Sequence, residues 1–116
     1  MKKIYVAIPY SGMEESSYQQ ANKVTAEILK MGYNPFSPIT HSHPLTQYNV
    51  PGDWEFWSKV DMDWINVCDE LWFIIPEEGR KRVTDSIGVQ AEIKYDEEIG
   101  IPVKGYTFFD EKLKRI

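Results

Sequence analysis

A chain of 116 residues, 42% hydrophobic and 14% aromatic, has the makeup of one globular domain spanning 1–116 with room for a single core. That composition excludes a disordered chain, and the net charge of −5 argues against a nucleic-acid polymer as the main partner while leaving room for a small anionic ligand. The lone Cys68 excludes an internal disulfide. No leader and no membrane-length apolar run is read, which makes the cytoplasm the expected compartment.

Lys3 to Ile8 is β-branched and aromatic and stops at Pro9, so it reads as a buried first strand. The spacing of Ala21, Val24 and Ile28 predicts a helix over 16–31, closed by Gly32. Tyr33 to Phe36 is a short second strand, and 37–52 reads as one long polar loop. Asp53 is placed to cap a helix running to about Val67, followed by the apolar strand Glu70 to Ile75. Asp85 or Ser86 opens a third helix that ends near Gly100, and Ile101 to Thr107 returns to the sheet. The tail from Asp110 reads as a short surface helix. Strand and helix alternate throughout, which predicts a three-layer α/β sandwich of Rossmann-like or flavodoxin-like type. Its parallel sheet has four or five strands; the order is not read from the chain directly, and 2-1-3-4 is taken by analogy with folds of this type. Ligands of such folds bind beyond the carboxyl ends of the strands. That places loops 9–15, 37–52 and 76–85 around the expected site.

Two carboxylates fall where helices should be apolar. At about 100° per residue, Asp61 shares an arc with Trp57, Val60, Trp64, Ile65 and Cys68, and Glu92 shares one with Val89, Ile93 and Ile99. A buried carboxylate costs several kcal/mol or more without a partner. If both face one cavity, repulsion raises one pKa and sets a proton donor beside an ionised nucleophile, which is the logic of glycoside cleavage. The plainer alternatives are a solvent-reaching Glu92 and an Asp61 that bonds a neighbouring loop. Asp63 and Asp69 are weaker candidates, off the arc and at a helix–strand junction.

Other residues could bind rather than react. Thr84-Asp85-Ser86-Ile87-Gly88 opens a helix whose free N–H groups and Ser86 hydroxyl form an anion site or a plain cap. Gly88 and Ala91 leave space for a ligand to approach. Arg80-Lys81-Arg82 could clamp a phosphate or be a solvated loop. Pro9, Tyr10 and Ser11 follow the first strand and have the same anion-binding potential, without being a GxGxxG or Walker loop. His41 and His43 are too few to make a metal site, so no metal and no cofactor are expected. A loop role or contact with a ligand's polar edge is the reading instead, and His41 is the candidate for such a contact. Trp57, with Trp54 and Phe56, is either core or a base-stacking surface.

These segments carry a resemblance. Lys3-Ile4-Tyr5-Val6-Ala7, the run Asp61 to Asp69 before an apolar strand, and Ser86-Ile87-Gly88-Val89-Gln90-Ala91-Glu92-Ile93 are similar to segments of nucleoside 2-deoxyribosyltransferases. The serine six residues before the glutamate resembles the branch that hydrolyses deoxynucleoside 5′-monophosphates. Ser37-Pro38-Ile39-Thr40-His41 and Asp53-Trp54-Glu55-Phe56-Trp57 are similar to a small bacterial and phage family of this superfamily without an assigned function. The resemblance implies Glu92 as nucleophile, Asp61 assisting departure of the base, Tyr5 positioning nucleophile or sugar, and Ser86 holding a 5′-phosphate. It implies a small-molecule nucleoside or nucleotide as partner, and the exposed aromatics are consistent with a homodimer or higher homo-oligomer. The competing expectations are a non-catalytic nucleotide-binding module of the same fold, and a metal-dependent hydrolase built on His41, His43 and Asp53.

Overall fold

The computed structural model describes residues 1–10, 14–76 and 86–116. In chain order they form β1 (Lys3–Ala7), α1 (Glu14–Lys30), β2 (Asn34–Phe36), α2 (Pro38–Ser42) and a 3-10 helix (His43–Tyr48). There follow α3 (Trp54–Ile65), β3 (Glu70–Pro76), α4 (Ile87–Ile99), β4 (Val103–Phe109) and β5 (Lys112–Arg115). The sheet order is β2-β1-β3-β4-β5, with β5 antiparallel to β4 and every other pair parallel. This is the α/β sandwich expected, extended by one edge strand.

The pleat of β1 divides the core. Ile4, Val6 and Ile8 turn to one face and pack with Ala21, Val24 and Ile28 of α1 and with Trp72 and Ile74 of β3. Tyr5 and Ala7 turn to the other face, with Ile65, Cys68, Leu71 and Val89. A strand alternates its side chains across the sheet, so a single five-residue strand feeds both interior layers. Tyr5 is thereby committed to the face that α3 and α4 cover.

Helix ends follow local chemistry. Gly32 and Gly100 take φ of 93° and 81°, a left-handed turn that lets Tyr33 N–H reach the Ile28 carbonyl and Ile101 N–H reach that of Asp96. Ser86 caps α4, its Oγ accepting from Val89 N–H at 3.2 Å. Asp53 holds the capping position of α3 but makes no side-chain cap bond.

Three expectations change. The stretch 37–52 is not one loop: Ser37 Oγ accepts from Thr40 N–H and Pro38 sits in the first turn, which starts α2. The tail is a strand rather than a helix, because Asp110 and Glu111 both take positive φ (50° and 61°) and fold Lys112–Arg115 back onto β4 as a hairpin. On the helices, Trp64 and Ile99 are 40% exposed rather than inner-facing. Trp64 instead stacks its indole on Phe36 at 4.2 Å.

Candidate functional site

Asp61 comes from α3, Glu92 from α4 and Tyr5 from β1. Because α3 and α4 pack side by side on the sheet face that Tyr5 joins, the three side chains meet, with relative exposures of 7%, 5% and 0%. The Tyr5 hydroxyl donates to Glu92 Oε2. Asp61 interacts with both Glu92 and Tyr5. Burial lifts the Glu92 carboxyl well above the usual carboxylate range and the charge of Asp61 lifts it further, while the Tyr5 bond pulls it back. Burial also pushes Asp61 up to about 6, against hydrogen bonds from Glu92 and Tyr5 that favour its charged form. Burial and mutual repulsion thus raise both carboxyls, Glu92 the more strongly, so that a proton shared by the pair is favoured on Glu92.

Above them opens a cavity of about 510 Å³, a volume within the range of small-molecule sites. Asp61 and Glu92 line it, as do the expected Ser86, Gly88, Trp57 and Tyr10. Its apolar walls come from Ile8, Pro38, Ile39 and Val89. Ser86 has its oxygen engaged by the cap bond, and among the described residues its hydroxyl hydrogen has no acceptor. Trp57 is oriented by a 2.7 Å bond from its Nε1 to the Pro51 carbonyl. The space beside Gly88 is not empty: a Cβ there would meet the Trp54 ring at 3.5 Å, so that indole covers the opening of α4.

The remaining expected residues divide. Pro9 is buried, outside the cavity wall, and its carbonyl accepts from the Ser17 hydroxyl. His41 is exposed beside Phe36 and does not line the cavity. His43 does, with its Nδ1 2.7 Å from the Tyr10 hydroxyl. The chain passes from α2 into the 3-10 helix between the two histidines, with Pro44 in the first turn of the latter, so they face different surroundings. Ser11, Asp85 and the triplet Arg80-Lys81-Arg82 lie outside the described residues. Trp54, read with Trp57 as core or a base-stacking surface, also lines the cavity, as does Asp53, which the sequence placed at the helix cap and in the metal-hydrolase alternative.

Outside the cavity, Asp69 accepts from the backbone N–H of Lys3 at 2.7 Å, a structural tie, and Asp63 is exposed. Burial pushes the Cys68 thiol up to about 11, which suits an inert core residue. Among the described residues, no group of three His, Cys, Asp or Glu side chains could hold a metal ion, so the set His41, His43 and Asp53 does not converge as a hydrolase centre would need. No described helix is long and apolar enough to cross a membrane.

The fold has known counterparts. The chain is similar to a 2-deoxyribosyltransferase from the psychrotolerant bacterium Bacillus psychrosaccharolyticus, at 25% identity and a TM-score of 0.65, over 97% of this chain and 77% of that one. It shares its fold with a 2-desoxiribosyltransferase from Leishmania mexicana (18% identity, TM-score 0.64, covering 94% and 66%). A conserved protein from Enterococcus faecalis V583 has the same fold (19%, 0.63, covering 90% and 62%). No curated protein matches the sequence. A family model described as "Domain of unknown function (DUF1937)" matches residues 2–108.

Proposed function

The chain belongs to the DUF1937 family, with the fold of 2-deoxyribosyltransferases, and on that premise we propose that it cleaves the N-glycosidic bond of a nucleoside or nucleoside 5′-monophosphate, by hydrolysis or by transfer. The observation that carries this reading is the buried contact of Glu92 with Tyr5 and Asp61 at a cavity of nucleoside size. Glu92 is the nucleophile and Asp61 the acid.

The pair enters the reaction with one proton. As positive charge grows on the anomeric carbon, it favours the ionised form of Glu92, and the proton passes to Asp61. A Glu92 oxygen bonds to the anomeric carbon while the carbon–nitrogen bond breaks, and Asp61 gives its proton to the departing base. Water, or the nitrogen of a second base, then attacks the same carbon. Glu92 is released as carboxylate, and the proton lost by the incoming nucleophile returns to Asp61. Tyr5 keeps one Glu92 oxygen bonded so that the other faces the sugar. Ser86, at the opening of α4, offers its hydroxyl hydrogen to a 5′-phosphate, with Gly88 keeping the approach narrow but passable. Trp57 supplies a flat apolar wall suited to a base. The assembly is a homo-oligomer, as the exposed Phe56 and Trp64 on α3 suggest.

The test is base release from a panel of ribo- and deoxyribonucleosides and their 5′-monophosphates, followed by chromatography. Turnover that disappears in the Glu92→Gln variant, with binding retained, is the expected result. Tight binding without base release by the unaltered protein would mean a sensor or carrier of nucleotide derivatives instead.

A further inference from the structure

His43 is held on every side that matters for its tautomer. Its ring stacks on Tyr18 (centroids 4.4 Å apart, planes at 27°) and meets the Tyr10 ring edge-on at 5.7 Å. Its Nε2 lies 3.3 Å from Glu15 Oε2, and its Nδ1 lies 2.7 Å from the Tyr10 hydroxyl. An ionised carboxylate can only accept. Glu15 already does so at its other oxygen, from the Gln19 amide at 3.1 Å. The hydrogen between Glu15 and His43 therefore sits on Nε2. In a neutral imidazole that leaves Nδ1 bare, so the Tyr10 O–H must donate to it. A phenol has one hydrogen. With that hydrogen committed to His43, Tyr10 can offer the cavity only lone pairs.

Tyr10 and His43 both line the cavity that holds Glu92. We infer that the chain Glu15–His43–Tyr10 fixes the Tyr10 hydroxyl as a hydrogen-bond acceptor facing that cavity, so that the site selects nucleosides presenting a donor, a sugar hydroxyl or an exocyclic amino group, to this wall. The inference rests on the glycosidic reading for its ligand class and deepens it. Tyr10 is the contact; His43 is a positioning residue, and Glu15 sets its tautomer. A carbonyl, an ether oxygen or an ionised phosphate at the same place would set acceptor against acceptor with no hydrogen between them.

Two measurements test this. In the free protein, nitrogen-15 NMR of histidine at pH 7.5 is expected to show His43 with Nε2 protonated and Nδ1 bare, and the Nδ1 signal should move in Tyr10→Phe. An Nδ1–H tautomer or a doubly protonated ring overturns the inference. Calorimetry in a Glu92→Gln background then compares 2′-deoxyadenosine with 2′-deoxyinosine, which trades the amino group for a carbonyl, and with its 3′-O-methyl and 5′-O-methyl ethers. Which pair discriminates identifies the donor as base or sugar. The expected preference for the donor-bearing member is about tenfold. It should vanish in Tyr10→Phe and in His43→Ala, and return in His43→Gln, whose amide can accept from Tyr10 and donate to Glu15. A preference unchanged in Tyr10→Phe, or the lack of any preference, overturns the inference. Base release without a Tyr10-dependent preference defeats this inference alone. The preference without base release by the protein carrying Glu92 defeats the glycosidic reading alone, and failure to bind any of the four or the corresponding 5′-monophosphates defeats both.

Discussion

Asp61→Asn should make the protein more stable and less active, and the two effects should separate with pH. Burial holds the folded-state pKa of Asp61 at about 6, above its ordinary 3.8. A carboxyl raised in this way contributes most to stability below about pH 3.8, where folded and unfolded chains are both protonated. That contribution falls as pH rises towards 6 and stays low above it. At 1.36 kcal/mol per pH unit the shift sets a ceiling of about 3 kcal/mol at pH 8. Because Asp61 shares a proton with Glu92, a gain of about 1–2 kcal/mol for the asparagine variant is the sounder figure. For a domain of this size that raises the melting temperature by roughly 4–10 °C. Urea unfolding at pH 8 and pH 3.5, with unchanged slope, reads the difference directly. The gain should be present at pH 8 and absent at pH 3.5. Base release should fall by about 10²–10⁴, because the amide has no acidic proton to give. A gain of equal size at both pH values, or a loss at pH 8, refutes the burial argument. Undiminished turnover refutes the role of Asp61 as acid.

Tyr5→Phe removes the hydrogen bond that, among the described residues, favours ionised Glu92. The acidic limb of the pH–rate profile should move to higher pH and kcat should drop by roughly 10–100-fold with little change in KM, as steady-state kinetics across pH would show. Asp96 is buried on α4 with neither carboxylate oxygen bonded among the described residues, and burial, then the nearby Glu97, pushes it up to about 7. Asp96→Asn should therefore stabilise the fold above pH 7 by about 1–2 kcal/mol, after allowance for solvent screening, and leave it unchanged below pH 4, measured by urea unfolding. Gly88→Ala meets the Trp54 ring only at ordinary contact distance, so circular dichroism and melting temperature should be nearly unchanged. KM should rise severalfold, since the added methyl narrows the cavity beside Ser86.

The alternation of strand and helix was enough to read the parallel sandwich, because each parallel crossover needs a helix of its own; the order of the first four strands came by analogy with such folds, since alternation alone is compatible with several orders. The glycine ends of α1 and α4 and the Ser86 cap were equally legible, since left-handed turns and caps are local chemistry. The Ser37-Pro38 start of α2 was legible too, but the polar run around it obscured the signal. The hairpin at Asp110-Glu111 was not legible. Neither residue is a glycine, and their positive φ values are adopted only because β4 offers Lys112–Arg115 an edge to pair with.

For the site, periodicity alone marked Asp61 and Glu92 as carboxylates on inner faces, and the cost of burying charge made them conspicuous. A helical wheel says which way a residue points within its own helix, but not what the helix stands against. It put Trp64 and Ile99 inside, where the packing leaves them 40% exposed. Only the tertiary structure set α3 beside α4 over Tyr5, brought the two carboxyls close enough to raise each other's affinity for a proton, and seated His43 rather than His41 in the cavity wall. The reason is physical. Burial, repulsion and hydrogen-bond direction depend on distances between segments far apart in the chain, and those distances exist only once the sheet has brought the segments together.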